Sequence, residues 1–488
     1  MKKSNLLVIF SDEHNPMIAG FAGDPFVSTP NLDKLAKSGS VFTSAYCNSP
    51  ICVPARASLA TGLYTHQTRY WDNAIGYDGE IKSWGHVLQE HGVRVESIGK
   101  LHYKNDQIDA GFDRQQLAMH IKGPGMLWGL ARNPLPVFEK QAFGMLRPIG
   151  AGDSAYNQYD RDITRAACGW LRDVAEEAPE EPWVLFVGLV APHFPLTVPQ
   201  QFIDPYLEMD LPEPAHRLES GYVRHPWLDD MAYSQPTDDG LSDQERKLAK
   251  ASYYGLVSFM DHNVGQILSA LASAGLTDST RIVYASDHGE NLGARGLWGK
   301  GSLNDESAGV PMIVSGPDVP KGAHIDTPVS LVDLYPTVLQ GVGLDVDASA
   351  DGDDYDRSHS RSLFDLANAP AEDRLVLSEY HAVASRSAAY MLRNRQYKFI
   401  YYVDYKPELF DMLADPTESD NLAQKPEFRE LVSWFEQQLR GILNPEEVDA
   451  QAKADQQAVM EQHGGMQACL SGGVAGATPI PKLEPHEQ

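Results

Sequence analysis

The chain carries a thiol, a proline and a guanidinium at fixed spacing in Cys52-Val53-Pro54-Ala55-Arg56, followed by Ala57-Ser58-Leu59-Ala60-Thr61-Gly62. A helical pattern starts at Arg56, so residue 52 is expected near a helix N-terminus, where unpaired backbone N–H groups favour an anion. Taken alone, such a cysteine reads equally well as small apolar filler in a turn. Other reactive groups recur at the ends of apolar runs: Asp12-Glu13, Lys100 with His102, His193, and Asp287-His288 followed by Lys300. Carboxylates just past the C-terminal end of a central parallel strand lie where open α/β sheets bind ligands. Capping or loop solvation is their ordinary alternative. Lys100 and His102, two apart on an extended segment, are expected to point the same way and face one oxygen.

The elements that must hold these groups alternate along the chain. Residues 6–10 read as a first buried strand, 28–39 as a short helix with an early Pro and a terminal Gly, and 41–46 as a strand leading into the Cys52 turn. Residues 83–92 form a helical pattern and 93–98 a strand, whereas 104–157, rich in Gly, Pro and aromatics, look irregular and suited to wall a pocket. A helix is expected over 160–177. Residues 183–190 are a continuous apolar run, the mark of a strand buried on both faces. The acidic, proline-rich stretch 197–241 reads as a long excursion, and 242–271 as a long helix whose stripe of Tyr253, Leu256, Phe259, Met260 and Ile267 belongs to a core. Strand 281–285, strand 310–315 and helix 331–339 complete the alternation.

This pattern predicts an α/β fold: a large doubly wound, mixed but mostly parallel sheet flanked by helices over residues 1–345. A polar linker at 346–360 precedes strands at 375–379, 387–393 and 397–402 and a helix near 428–443. Residues 346–445 are therefore expected to be a small C-terminal α+β unit with an antiparallel sheet packed by a helix. The tail, 446–488, begins as a polar helix and becomes Gly-rich.

Bulk properties bound the function. The 488 residues suffice for one large core plus a smaller unit. The formal charge of −27 argues against nucleic acid as a partner and gives no general attraction for anions, so any sulfate or phosphate site must be a local cationic pocket. No apolar run is long enough to span a membrane, and none is expected as a partner. The apolar run after Lys2-Lys3 is too short for a signal peptide and lacks a small-residue cleavage site. The sparse cysteines, Cys47, Cys52, Cys168 and Cys469, show no zinc-like pairing. A cytoplasmic protein with reduced thiols is the expectation.

The Cys-x-Pro-x-Arg stretch resembles the sulfatase signature, and Gly99-Lys100-Leu101-His102 resembles the second signature of that family, within the alkaline phosphatase superfamily. The resemblance spans residues 5–440 and looks most like the cytoplasmic branch of choline sulfatases and phosphonate monoester hydrolases. It implies that Cys52 is oxidised to formylglycine by a formylglycine-generating enzyme. The hydrated aldehyde attacks sulfur through one hydroxyl and keeps the other to expel the ester. It further implies that Asp12, Glu13, Asp287 and His288, with residue 52, hold one divalent cation. Ca²⁺ is expected first, with Mg²⁺ or Mn²⁺ as alternatives, the imidazole of His288 favouring Mn²⁺. Arg56 and Lys100 would stabilise the ionised diol, and His102 would take a proton as the intermediate collapses. His193 and Lys300 would assist the leaving alcohol, and Asn73, in Tyr70-Trp71-Asp72-Asn73, would contact sulfate.

Departures from the family pattern narrow the reading. The Arg that relatives place before Val-Pro is here Gly309, so an ion pair is missing or replaced. Where choline sulfatases carry a Glu for the quaternary ammonium, counted from Glu379-Tyr380, this chain has Val383. An aryl or other alkyl sulfate is therefore the expected substrate. The alternatives are a phosphonate monoester hydrolase or phosphodiesterase using the same residues, and an inactive homologue that only binds. The tail resembles extensions that reach a neighbouring subunit, which implies a homo-oligomer.

Overall fold

The first apolar run forms strand β1 (Asn5–Asp12), buried almost throughout and paired in parallel on both sides. The computed structural model describes residues 3–136, 144–344, 355–371, 373–471 and 478–481. The large sheet adds β2 (Gly39–Phe42), β3 (Arg94–Lys100), β4 (Arg114–Met119), β5 (Trp183–Pro192), β6 (Thr280–Ser286), β7 (Met312–Ser315) and β8 (Ala323–Ile325). Their order is β8-β2-β7-β6-β1-β5-β3-β4, and β7 runs antiparallel to both neighbours.

Burial on both faces follows from strand periodicity. Leu6, Val8 and Phe10 of β1 join one apolar cluster, and Leu7 and Ile9 join another on the opposite face. On the face of Leu7 and Ile9 lie helices α1 (Pro30–Ser38), α3 (Ala155–Glu177) and α4 (Asp243–Ser273), through Leu32, Ile163 and Val257. The face of Leu6, Val8 and Phe10 receives α2 (Cys52–Thr61) and α5 (Leu334–Gly341), through Leu59 and Val338. Each fully buried Val, Leu, Ile or Phe here contributes roughly 1.5–3 kcal/mol relative to exposure. The long α4 starts where Ser242 and Glu245 form a reciprocal cap, which satisfies donors the first turn cannot.

A smaller antiparallel sheet runs in sequence order: β9 (Val376–Tyr380), β10 (Ala389–Arg393), β11 (Tyr397–Tyr402) and β12 (Glu408–Asp411). Helix α6 (Arg429–Ile442) covers it, with Phe435 stacked on Phe399 at 5.6 Å between ring centroids. Val376, Tyr380 and Met391 belong to the same apolar cluster as β1, so the two sheets share a core. The last long helix, α7 (Pro445–Gln462), packs on its own chain: Gln456 donates to the Asp72 carboxylate and Trp71 donates to Asp455.

The architecture agrees with the expected α/β class, with four local differences. Residues 41–46 are not one strand: β2 ends at Phe42, and Ala45–Tyr46 pairs with Val329–Ser330 in a separate two-stranded sheet. The stretch expected to be irregular contains the edge strand β4, whose Arg-Gln-Gln start shows no apolar alternation because it is half exposed. Helix α2 begins at Cys52 itself rather than at Arg56. β12 is a fourth strand of the small sheet. Of the expected linker, 346–354 lies outside the described residues, as does the Gly-rich part of the tail at 472–477. Among the described residues no helix is long and apolar enough to cross a membrane.

Candidate active site

The C-terminal ends of β1, β3, β5 and β6 converge on the N-terminus of α2. Two of these strand ends are irregular in register: β1 slips against β5 between Phe10 and Asp12, and β3 slips against β4 between Ile98 and Lys100. Such bulges re-aim the side chains that follow. Glu13 and His102 then adopt left-handed backbone, φ 67° and 61°. A non-Gly residue is rarely found there and is held only where the surroundings over-determine it. Lys100 and His102 are therefore not aligned by simple strand alternation, as their spacing suggested. Lys100 ends the strand, and His102 has already turned out of it.

At the centre, ligand atoms of Asp12, Cys52, Asp287 and His288 all lie within 4.8 Å of one another, and all four residues are buried. His288 Nδ1 donates to the Gly289 carbonyl at 2.9 Å, which leaves the Nε2 lone pair facing Cys52 Sγ at 3.2 Å. That is how imidazole ligands are commonly oriented toward metals. Asp287 Oδ1 accepts from the backbone N–H groups of Glu13 and His288, at 3.1 and 3.0 Å. Glu13 does not join this set; its carboxylate falls within the same reach of Asp12 and His193. Among the described residues its buried Oε1 finds no hydrogen-bond donor. Hard oxygens, a lone-pair nitrogen and an orphaned carboxylate oxygen fit a divalent cation.

Cations surround these carboxylates. Arg56 donates from Nε to Asp287 at 2.8 Å, from Nη2 to Asp12 at 3.2 Å and from Nη1 to the Lys100 carbonyl at 2.9 Å. Lys100 Nζ pairs with the same Asp12 oxygen, Oδ2, that Arg56 Nη2 reaches. Burial alone would raise the Asp12 pKa, but Lys100, His193, Arg56 and Lys300 hold it well below the ordinary carboxylate range. Burial raises the Glu13 carboxyl above that range, and Lys300 only partly opposes it. Burial, reinforced by Asp12, pushes the Cys52 thiol up to about 12.

Across the centre, Lys300 Nζ lies 3.1 Å from Glu13 Oε2 and 5.0 Å from the centroid of the Phe194 ring. His193 Nε2 lies 3.4 Å from the same Glu13 oxygen, while Nδ1 donates to the Phe194 carbonyl at 2.6 Å. With Nδ1 so engaged, Nε2 carries a proton only in the imidazolium form, which burial and Lys300 disfavour and Asp12 supports. His102 is buried, and burial with Lys100 and Arg56 lowers its pKa well below that of free imidazole. Asn73 Oδ1 accepts from Val53 N at 3.1 Å, so it satisfies a donor in the first turn of α2. All the residues singled out from sequence thus gather in one place.

Sequence reasoning missed several supporting groups. Glu290 is buried behind Glu13, and its Oε1 accepts from Leu292 N at 2.8 Å and Gly299 N at 2.6 Å. Its position just after Asp287-His288-Gly289 was the available signal. Asp160 on α3 accepts from Val190 N and Ala191 N at 2.7 and 2.8 Å and so fixes the end of β5 before His193. Beside Lys300 and Asn73 opens a small cavity of about 50 Å³ with mostly apolar walls, among them Trp128, Phe194, Trp298, Tyr380 and Val383. Other ion pairs lie near position 309. Arg295 pairs with Glu306 at 2.8 Å and Glu418 at 3.2 Å, and Lys398 pairs with Asp305 at 2.7 Å. A Cβ at Gly309 would stand 2.5 Å from the Asp305 carbonyl, which leaves no room there for an arginine.

Comparison with known proteins agrees with this geometry. The sulfatase family profile matches residues 4–344, and the profile of the N-sulphoglucosamine sulphohydrolase C-terminal region matches 293–444. The chain is 29% identical over 487 residues to arylsulfatase K of Bos taurus, covering 91% of this chain and 83% of that one. It is 30% identical over 438 residues to choline-sulfatase of Rhizobium meliloti (strain 1021), covering 87% and 83%. Its fold is similar to that of phosphonate monoester hydrolase of Agrobacterium radiobacter, with a TM-score of 0.72 at 21% identity over 92% of this chain and 96% of that one. With 341 consecutive residues matched, the chain belongs to the sulfatase family of sulfuric ester hydrolases.

Proposed function

We propose that the protein hydrolyses an aryl or alkyl sulfate monoester, using a formylglycine derived from Cys52 and one divalent cation. The observation that carries this reading is the meeting of Cys52 with Asp12, Asp287 and His288 around one point, with Arg56 and Lys100 alongside. Asp12, Asp287 and His288 would hold the cation with residue 52, and Glu13 would lend its unpartnered oxygen; Ca²⁺ is the first expectation, with Mg²⁺ or Mn²⁺ next. With residue 52 converted and the cation bound, the pair supplies an acidified hydroxyl as the attacking group.

The other side chains do the remaining work. Arg56 and Lys100 hold positive charge against the oxygens of residue 52 and of sulfate, where charge develops during transfer. Asn73 and Lys300 orient the sulfate group. His193 and Lys300 stabilise the bridging oxygen as the alcohol departs, and His193 donates its Nε2 proton when it enters the reaction as imidazolium. His102 takes a proton as sulfate is released. The apolar cavity beside Lys300 would receive the alcohol. It presents Val383 where a carboxylate would be needed for a quaternary ammonium, so an uncharged aryl or alkyl group suits it better than choline.

A phosphonate monoester carries the same single negative charge as a sulfate monoester, so these cations serve either. The test is an assay of purified, matured protein with p-nitrophenyl sulfate and p-nitrophenyl phenylphosphonate, alone and in competition. A higher kcat/KM on the sulfate supports the reading, and a clear preference for the phosphonate replaces it. Peptide mass spectrometry across Cys52 accompanies the assay. Conversion lowers the peptide mass by about 18 Da. Turnover by protein with wholly unconverted Cys52 would exclude the formylglycine mechanism.

A further inference from the structure

A described part of the C-terminal segment lies against one of the histidines discussed above, and against a tyrosine that meets another. Thr478 Oγ1 is 3.2 Å from His102 Nε2, and its carbonyl accepts from the Tyr156 hydroxyl at 2.6 Å. Tyr156, near the start of α3, is buried and meets the His193 ring edge-on at 6.0 Å. Thr478 is thus fixed at two points, one on each side of its own Cα, although it lies 376 residues from His102 in sequence. His102 has little other support. Its backbone N–H donates to the Met119 carbonyl at 2.8 Å, but its ring Nδ1 is buried with no partner among the described residues.

The difference between the two ring nitrogens has a consequence for the proton. A neutral imidazole carries one N–H and one lone pair. Burying an unpartnered N–H is the rarer and costlier arrangement, whereas an acceptor left without a donor is better tolerated. The proton therefore belongs on Nε2, donated to Thr478 Oγ1, and the lone pair belongs on Nδ1. A hydroxyl can serve as that acceptor, and a methyl group cannot.

We infer that Thr478 is a positioning residue for His102: it accepts the Nε2 proton and holds the ring in the tautomer whose Nδ1 is the base. Tyr156 in turn holds Thr478. The inference rests on the role given to His102 under the proposed function, but its structural half does not depend on turnover. Without the hydroxyl, His102 would divide between tautomers, and only one of them could take the proton as sulfate is released.

The test uses full-length protein labelled with ¹⁵N-histidine, prepared with Cys52 unconverted for spectroscopy and converted for kinetics. In the wild type, His102 Nδ1 should resonate as a lone-pair nitrogen and Nε2 as a protonated one, the ring being assigned by its loss in His102→Gln. Thr478→Val should mix the two signals, and Thr478→Ser should restore the separation. Tyr156→Phe should move the spectrum in the same direction as Thr478→Val. In matured enzyme, Thr478→Val should lower kcat on the order of tenfold to a hundredfold with little change in KM, and Thr478→Ser should recover most of it. A His102 spectrum unchanged in Thr478→Val overturns the inference, whatever happens to the rate. So does a variant with altered spectrum and wild-type kcat. If wild-type enzyme shows no sulfatase turnover while the spectra behave as expected, the proposed function fails and the Thr478–His102 coupling stands.

Discussion

Cys52 Sγ stands 3.2 Å from His288 Nε2, where the first turn of α2 meets the loop leaving β6. The two residues are 236 apart in sequence and both are buried, so the contact exists only because the parallel sheet brings its strand ends to a common edge. Cys52→Ala removes the sulfur without removing a large packing volume. Turnover should fall to background while the circular dichroism spectrum and Tm stay close to wild type. Near-normal activity in this variant would refute the role of residue 52.

Divalent cations should stabilise the folded protein by linkage. At about 100 times its Kd a single bound ion adds about 2.7 kcal/mol. Thermal denaturation with EDTA and then with Ca²⁺, Mg²⁺ or Mn²⁺ should show a rise in Tm that saturates, largest for the preferred ion. Asp287→Asn and His288→Ala should each abolish most of that rise. A Tm equally responsive in these variants would place the ion elsewhere.

Arg56 is enclosed between Asp12 and Asp287, with all three side chains at most 1% exposed. Arg56→Leu leaves two buried carboxylates that Lys100 alone cannot neutralise. Removing one partner of such a network costs about 3–5 kcal/mol, which urea unfolding of metal-free protein would measure. Excess divalent cation should recover part of the loss, because it supplies positive charge to the same carboxylates. A variant as stable as wild type without metal would show that the carboxylates are neutral in the folded state.

His193→Ala should slow esters of poor leaving groups more than activated ones, because only a basic departing oxygen needs the proton. With an alkyl sulfate the expected loss in kcat/KM is on the order of 10²–10⁴, and with p-nitrophenyl sulfate it should be clearly smaller. Equal losses across a series of phenols of graded pKa would remove the general-acid role and leave His193 as a binding group.

The residue types of the site were legible in the sequence because each follows an apolar run. Strands β1, β5 and β6 are buried along almost their whole length, so they are written as unbroken apolar stretches, and the first polar residues after them mark the edge where the sheet opens. Asp12, His193 and Asp287 were found in that way. The half-exposed edge strand β4 left no such record, since Arg114, Gln115 and Gln116 meet water as much as protein.

The sequence by itself determined the α/β class, the reactive groups and their family pattern, all of which are local properties of composition and spacing. Tertiary structure alone decided which of those groups meet. Glu13 turned toward His193 and Lys300 rather than toward Cys52, because its left-handed backbone points it across the strand ends. Near Gly309, Arg295 from a loop pairs with Glu306 and Lys398 from the small sheet pairs with Asp305. Thr478 reached His102 from the far end of the chain. Periodicity records whether a side chain is buried, not what it is buried against, and pairings across hundreds of residues exist only once the chain has folded.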